Sequence, residues 1–234
     1  MNLIYWDIDG TLIKTSRAGL YAISEAAEAL WGQAVNFDSI PTAGMTDNFI
    51  CREVIKAIAD REPSNEEVAE LCRYYETLLL EHLRSRVGIV LPSVRETLAA
   101  LKECDDCRLL LLTGNSRKGA EIKLEHFGIA HYFDFSRSAF AAEHYRRADI
   151  ARSALTVAES SWGRQEQHNF FVIGDTPNDI DCGKSIGAYT VGIATGAYTT
   201  AQLEDCQPWW AVDVLPAAAE FVDKIKAIAA KSNS

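Results

Sequence analysis

The sequence predicts an α/β protein, a doubly wound parallel-sheet (Rossmann-like) core with an inserted α-helical cap. Short buried-strand patterns alternate with helical patterns along most of the chain, which implies right-handed crossovers and a parallel sheet. Acidic and hydroxyl residues stand directly after several of those strand patterns. Early in the chain, three helical patterns follow one another with no strand between them.

Leu3 to Ile8 is a short apolar strand pattern, closed by Gly10 and Thr11. Helical periodicity then covers Arg17 to Trp31, with Ser16 as its expected N-cap, and Thr46 to Asp60. A third helix, Asn65 to Arg86, opens on the capping box Ser64-Asn65-Glu66-Glu67. Beyond Val87 a helix capped by Ser93, with Glu96 three residues on, leads into the strand Arg108 to Thr113. The helix Arg117 to Phe127 stops at Gly128, a residue suited to a helix C-terminus. After Phe133-Asp134-Phe135, a helix over Ala148 to Glu159 precedes the strand Phe170 to Ile173. Helix Asn178 to Ile186, strand Tyr189 to Ile193 and a last helix Ala217 to Ala230 complete the pattern. The consecutive helices make residues 15–88 a cap and leave residues 1–14 and 89–234 as the α/β core.

Composition narrows the partners. Of 234 residues, 48% are hydrophobic, enough for a sizeable core, and 33 acids against 23 bases give a net charge of −10. That balance lacks the basic footprint of a protein that tracks nucleic acid or an anionic membrane. The longest aliphatic run, Leu109 to Leu112, is far below the roughly 20 residues of a membrane span. With no signal-peptide pattern at the start, a cytoplasmic protein is expected, as a monomer or a homodimer alike. Of the six cysteines, only Cys104-Asp105-Asp106-Cys107 has metal or redox spacing. It has no second pair, so a polar turn is the simpler reading.

In open α/β sheets the active site lies beyond the carboxyl ends of the strands. Asp7-Ile8-Asp9-Gly10-Thr11 follows the first strand, Thr113-Gly114-Asn115 the second, and Gly174-Asp175-Thr176-Pro177-Asn178-Asp179 a third. Carboxylates gathered at one sheet edge repel, and a divalent cation is their natural neutraliser. Oxygen ligands without convergent His or Cys point to Mg²⁺. Asp7 and Asp9, two apart on an extended segment, project to the same side. One can attack an electrophile while the other handles the leaving group's proton. Gly10 permits a sharp turn whose N–H groups face an anion, and Thr113 supplies a hydroxyl donor. Asp175, joined by Asp179, is suited to hold the metal.

Asp-x-Asp-Gly-Thr, a strand ending Thr-Gly-Asn and a late Gly-Asp-x-x-x-Asp resemble motifs one, two and four of the haloacid dehalogenase-like hydrolase superfamily. The helical insert after motif one resembles that superfamily's C1 cap. The resemblance implies a Mg²⁺-dependent phosphatase that acts on a small phosphorylated metabolite through an aspartyl-phosphate, with phosphoglycolate phosphatase-like activity as the first substrate expectation. It implies that Asp7 is the nucleophile and Asp9 the general acid and later base. Asp7, Asp175 and the carbonyl of Asp9 would bind Mg²⁺, with Asp179 in support. Phosphoryl oxygens would be held by Thr113 and by Gly10, Thr11, Gly114 and Asn115. The family's dehalogenases carry a bulky non-acid where Asp9 stands, so Asp9 favours phosphate chemistry. The third motif departs from the family, which usually places a Lys there. The segment Glu143-His144-Tyr145-Arg146-Arg147-Ala148-Asp149-Ile150 has none. Arg147 takes the position, with Arg146 next to it, keeping the charge but not the compact ammonium geometry.

The rival readings are a phosphomutase, which passes the phosphoryl group to another hydroxyl of a sugar, and a non-catalytic phosphate-binding module. Receiver domains also cluster acids, but lack Asp-x-Asp-Gly-Thr on the first strand. Gly183-Lys184-Ser185 fails as a P-loop, since Asn178 stands where the first Gly is required. His82, His126, His131, His144 and His168 have no ligand spacing, and Trp209-Trp210 is expected to pack near the last strand. Ala43-Gly44-Met45-Thr46-Asp47 resembles the family's substrate-specificity loop, although Thr46 or Asp47 could simply cap a helix. Arg17, Arg52 and Lys56 are the cap's candidate contacts for an anion.

Overall fold

The computed structural model describes residues 1–141, 144–165 and 168–232. Its main sheet has five parallel strands in the order β4-β1-β5-β6-β7: β1 (Asn2–Trp6), β4 (Cys107–Leu111), β5 (Asn169–Gly174), β6 (Tyr189–Ile193) and β7 (Trp210–Val212). β1 lies between β4 and β5, with Trp6 in register with Leu111 on one side and Ile173 on the other. The three strands that precede the acidic and hydroxyl motifs are therefore adjacent, and their carboxyl ends share one crevice.

Strand alternation builds two layers. Ile4 and Trp6 face one way with Leu109, Leu111, Phe171 and Ile173, under α4 (Val94–Lys102), α5 (Arg117–His126) and α9 (Ala218–Ser232). Leu3 and Tyr5 face the other way with Leu110, Phe170 and Val172, under α6 (Arg147–Trp162) and α7 (Pro177–Ser185). A short helix, α8 (Thr200–Asp205), precedes β7.

The early helices α1 (Ala18–Trp31), α2 (Asp47–Ala59) and α3 (Asn65–Arg84) bury a separate cluster that includes Ile23, Ile55, Leu71 and Leu79. A ribbon of β2 (Ile13–Lys14) and β3 (Ile89–Val90), paired antiparallel, stands where the chain leaves and rejoins the sheet layer. Strands of two residues leave no period to read, so the sequence does not announce them.

Capping agrees with the sequence in some places and not in others. Ser64 and Glu67 form the expected capping box, and Gly128 takes a positive φ of 68° after α5. Ser16 does not cap α1: its hydroxyl donates to the Val87 carbonyl across the ribbon, at 2.5 Å. Arg17, at φ 62°, is the residue before that helix and makes no side-chain cap. Ser93 holds the N-cap position of α4 at φ 62°, again without a side-chain cap. Trp210 lies on β7 and stacks on Phe221 with centroids 5.9 Å apart. Among the described residues no helix is long and apolar enough to cross a membrane.

Candidate active site

The turn after β1 carries Asp7, which is 4% exposed. Carboxylate oxygens of Asp7, Asp175 and Asp179 lie within 4.8 Å of one another. Asp175 follows β5 directly, and Asp179 belongs to the first turn of α7. Asp179 has two tasks. One oxygen accepts from the Thr176 N–H at 3.0 Å and from its hydroxyl at 2.6 Å, which caps the helix. The other accepts from Arg147 at 2.7 Å.

Arg147, the first residue of α6, is the cation in this cluster. Two of its guanidinium nitrogens donate to Asp7 Oδ1, at 2.7 and 3.2 Å, and its Nε donates to the Gly44 carbonyl at 3.2 Å. Arg147 is buried, whereas Arg146 precedes the helix and is exposed. Burial would lower the Arg147 pKa, but Asp179 and Asp7 more than offset it, so the guanidinium stays charged. One cation faces three buried carboxylates. Burial pushes Asp7 up to about 7, opposed by Arg147 and reinforced by Asp179 and Asp9. Burial raises Asp175 in the same direction.

Asp9 stands apart from that cluster, with its side chain 42% exposed. Its Oδ2 accepts from the Asn115 amide at 3.0 Å and from the Lys123 ammonium at 2.5 Å. Thr113 is fully buried and hydrogen-bonds Asp7, which lowers that carboxyl's pKa. Gly114 and Asn115 line the cavity above the acids. The Thr11 hydroxyl is directed to Asp175 Oδ1, at 3.1 Å. Gly10 has φ +86°, and a Cβ there would lie 2.3 Å from Asp175 Oδ2; one at Gly196 would lie 1.7 Å from the same oxygen. The two glycines thus form a cradle for that carboxylate. Gly10→Ala is expected to cost about 1–3 kcal/mol by overpacking and to displace Asp175. Urea denaturation checks the first effect and loss of metal response the second.

The loop before α2 closes over these groups. The Gly44 carbonyl accepts from Arg147 and from the Asn178 amide, the latter at 3.1 Å. A Cβ at Gly114 would meet the Met45 carbonyl at 2.3 Å, so loop and sheet edge are in direct contact. Thr46 does cap α2, accepting from the Phe49 N–H at 3.1 Å, and the same loop lines the cavity through Ala43, Gly44 and Met45. Asp47 accepts from the Ser116 N–H at 2.7 Å and from the Tyr75 hydroxyl. Of the proposed cap cations, Arg17 lines the cavity. Arg52 bonds Tyr145, Asn65 and Glu62 instead, and Lys56 pairs with Glu53 and Glu62. The cavity measures about 430 Å³.

Two features were not read from the sequence. Lys123 is 6% exposed and bonds Asp9 and Asn115. Burial would lower its pKa, but Asp9 and Asp47 raise it further, so it stays an ammonium. The available signal was its place on the inward stripe of α5 with Ala120 and Leu124. The Gly196 approach to Asp175 gave no signal, because it comes from a loop after β6. The Cys104–Cys107 pair lies at a turn, and both thiols are free. Among the described residues, Asp7, Asp175 and Asp179 form the group with metal-ligand geometry.

Comparison with known proteins shows the family and the fold. Residues 4–193 match the family described as Haloacid dehalogenase-like hydrolase. The chain belongs to that family. A relative from Dickeya dadantii, named Probable phosphatase IndB, is 26% identical over 216 residues, covering 90% of this chain and 89% of its own. A phosphoglycolate phosphatase of Vibrio cholerae is 23% identical over 224 residues, 95% of this chain and 97% of its own. The structure of a family IA, variant 3 hydrolase from Entamoeba histolytica superposes with a TM-score of 0.72 at 21% identity, covering 97% and 100% of the two chains. That likeness shows the fold, a parallel sheet flanked by helices.

Proposed function

We propose that this hydrolase is a Mg²⁺-dependent phosphatase that cleaves a small phosphorylated metabolite through an aspartyl-phosphate on Asp7. The observation that carries the reading is the division of the site. Asp7, Asp175 and Asp179 crowd around one arginine, while Asp9 stands on the cavity side with its own donors. Three carboxylates against one guanidinium suit a hard divalent cation. Asp7, Asp175 and the Asp9 carbonyl would hold it, with Asp179 in support, and it would supply charge neutralisation for the phosphoryl oxygens.

The chain's own residues do the rest. Arg147 orients Asp7, whose carboxylate attacks phosphorus; a new P–O bond forms and the ester P–O bond breaks. Asp9 gives its proton to the departing oxygen. Asp9, now a carboxylate, takes a proton from the water that attacks phosphorus. The Asp7–phosphorus bond then breaks and inorganic phosphate leaves. The Gly114 backbone N–H, with Thr113, would face the phosphoryl group. The Gly10 and Thr11 N–H groups expected to do so instead donate to the Ile13 and Ile8 carbonyls, at 2.9 and 3.3 Å, and the Asn115 amide donates to Asp9 and Thr113.

The cap side supports hydrolysis of an ester with a partly apolar leaving group. Ile13, Leu20, Ile23, Met45 and Ile50 line the cavity there, with Lys14 and Arg17 at its basic part. Six free thiols fit a reducing, cytoplasmic setting.

Phosphate release from a panel of metabolite monoesters, with and without Mg²⁺, tests the reading. Release that depends on the metal is expected, and none from any ester would contradict it. Metal addition is also expected to raise Tm, by the equivalent of about 2.7 kcal/mol at a hundredfold excess over Kd. A carboxyl raised by burial favours the folded state at low pH, and that contribution is lost as pH rises through its folded value, here about 7 for Asp7. The metal-induced rise in Tm should therefore be larger above that pH than below it. Thermal melts across the range check the sign.

A further inference from the structure

We propose that Lys123 is a positioning residue for Asp9, fixing the carboxylate that exchanges the leaving group's proton. The inference rests on the phosphatase reading. An ammonium 6% exposed on the inward face of α5 is costly unless it is fully paired. Its partner is an acid that faces the cavity.

Lys123, Asn115 and Asp9 form a closed triangle. The ammonium donates to Asp9 Oδ2 and to Asn115 Oδ1, each at 2.5 Å, and the Asn115 amide donates to the same Oδ2 at 3.0 Å. The amide is itself fixed by the Thr113 hydroxyl oxygen at 2.9 Å. Among the described residues both donors to Asp9 thus converge on one oxygen, and Oδ1 is left for proton exchange. A carboxylate whose side chain is 42% exposed would otherwise sample several rotamers. General acid–base transfer requires hydrogen-bond reach of the reacting oxygen, and small misplacements of such a group are costly in rate. Helix α1 approaches the arrangement: at Gly19 a Cβ would lie 3.7 Å from the Lys123 ammonium.

The test compares two esters whose organic groups are similar in size and carry no charge in the substrate, p-nitrophenyl phosphate and benzyl phosphate, in wild type, Lys123→Met and Lys123→Arg with Mg²⁺. Nitrophenolate departs without a proton, whereas a benzyl alkoxide needs one. In Lys123→Met, kcat/KM is expected to fall on the order of 100-fold for the benzyl ester and less than about threefold for the nitrophenyl ester. Lys123→Arg should restore part of the benzyl activity. The ratio of the two esters, measured on one preparation, does not depend on how much protein is folded. An equal fall for both esters would overturn the proposal and leave Lys123 a structural residue. An unchanged ratio with a raised KM for 2-phosphoglycolate would also overturn it, making Lys123 a receptor for a second anionic group. Either result leaves the phosphatase reading standing if the wild type is active and Asp7→Asn is not. A wild type inactive on both esters, with Asp7→Asn no different, would overturn both.

Discussion

Asp7→Asn is expected to lower kcat for phosphate release by on the order of 10⁶-fold, the scale on which loss of a nucleophile acts in a preorganised site. Asn keeps the shape of Asp and can still accept from Arg147, but its amide is not a competent nucleophile. The fold should survive, because the substitution removes one of three crowded carboxylates and the burial cost that raises Asp7 to about 7. In metal-free protein above that pH, Tm should not fall. Phosphate release and a thermal melt on the same sample separate a chemical loss from a folding loss.

Arg147→Ala is expected to damage both stability and activity. The guanidinium bonds Asp7, Asp179 and the Gly44 carbonyl, and its side chain is 6% exposed. Its removal leaves two buried carboxylates without their cation, a change that costs about 3–5 kcal/mol when a buried pair is broken. For a chain of this size that is a Tm decrease on the order of 10 °C. Arg147→Lys should recover part of the stability, since one ammonium restores charge but cannot reproduce the planar fork across both acids. Arg146→Ala, at an exposed position, should change neither quantity appreciably. Parallel melts of the variants check the order.

Much of the fold was legible because apolar runs are a strong signal. β1, β4, β5 and β6 each carry several consecutive buried residues, and their positions follow from that. β7 was not legible: it has three residues, all half-buried, beside a tryptophan that reads equally well as loop packing. α8 has six residues, of which one is buried. Ser16 and Ser93 misled because an N-cap assignment assumes extended backbone, whereas both take positive φ.

The acids of the site were legible for a different reason. A residue directly after a parallel strand is placed by the backbone, so Asp7, Thr113 and Asp175 converge once the strands are adjacent. Arg147 against Arg146 depended on which side chain faces inward at the start of α6, and that is settled by packing. Lys123 lies two turns into its helix. A lysine in that pattern reads as solvated, and only the approach of Asp9 and Asn115 from other elements explains its burial.

The central claim is covalent chemistry at Asp7, and the most direct measurement is to trap it. Wild-type protein is mixed with p-nitrophenyl phosphate and Mg²⁺, quenched in acid during the first turnover, and digested for peptide mass mapping. The account predicts one phosphoryl group on the peptide that contains Asp7, assigned to that residue by borohydride reduction of the acyl phosphate to homoserine. Nitrophenolate release with the phosphoryl group on another residue, or turnover at saturating ester with no adduct at Asp7, would contradict it.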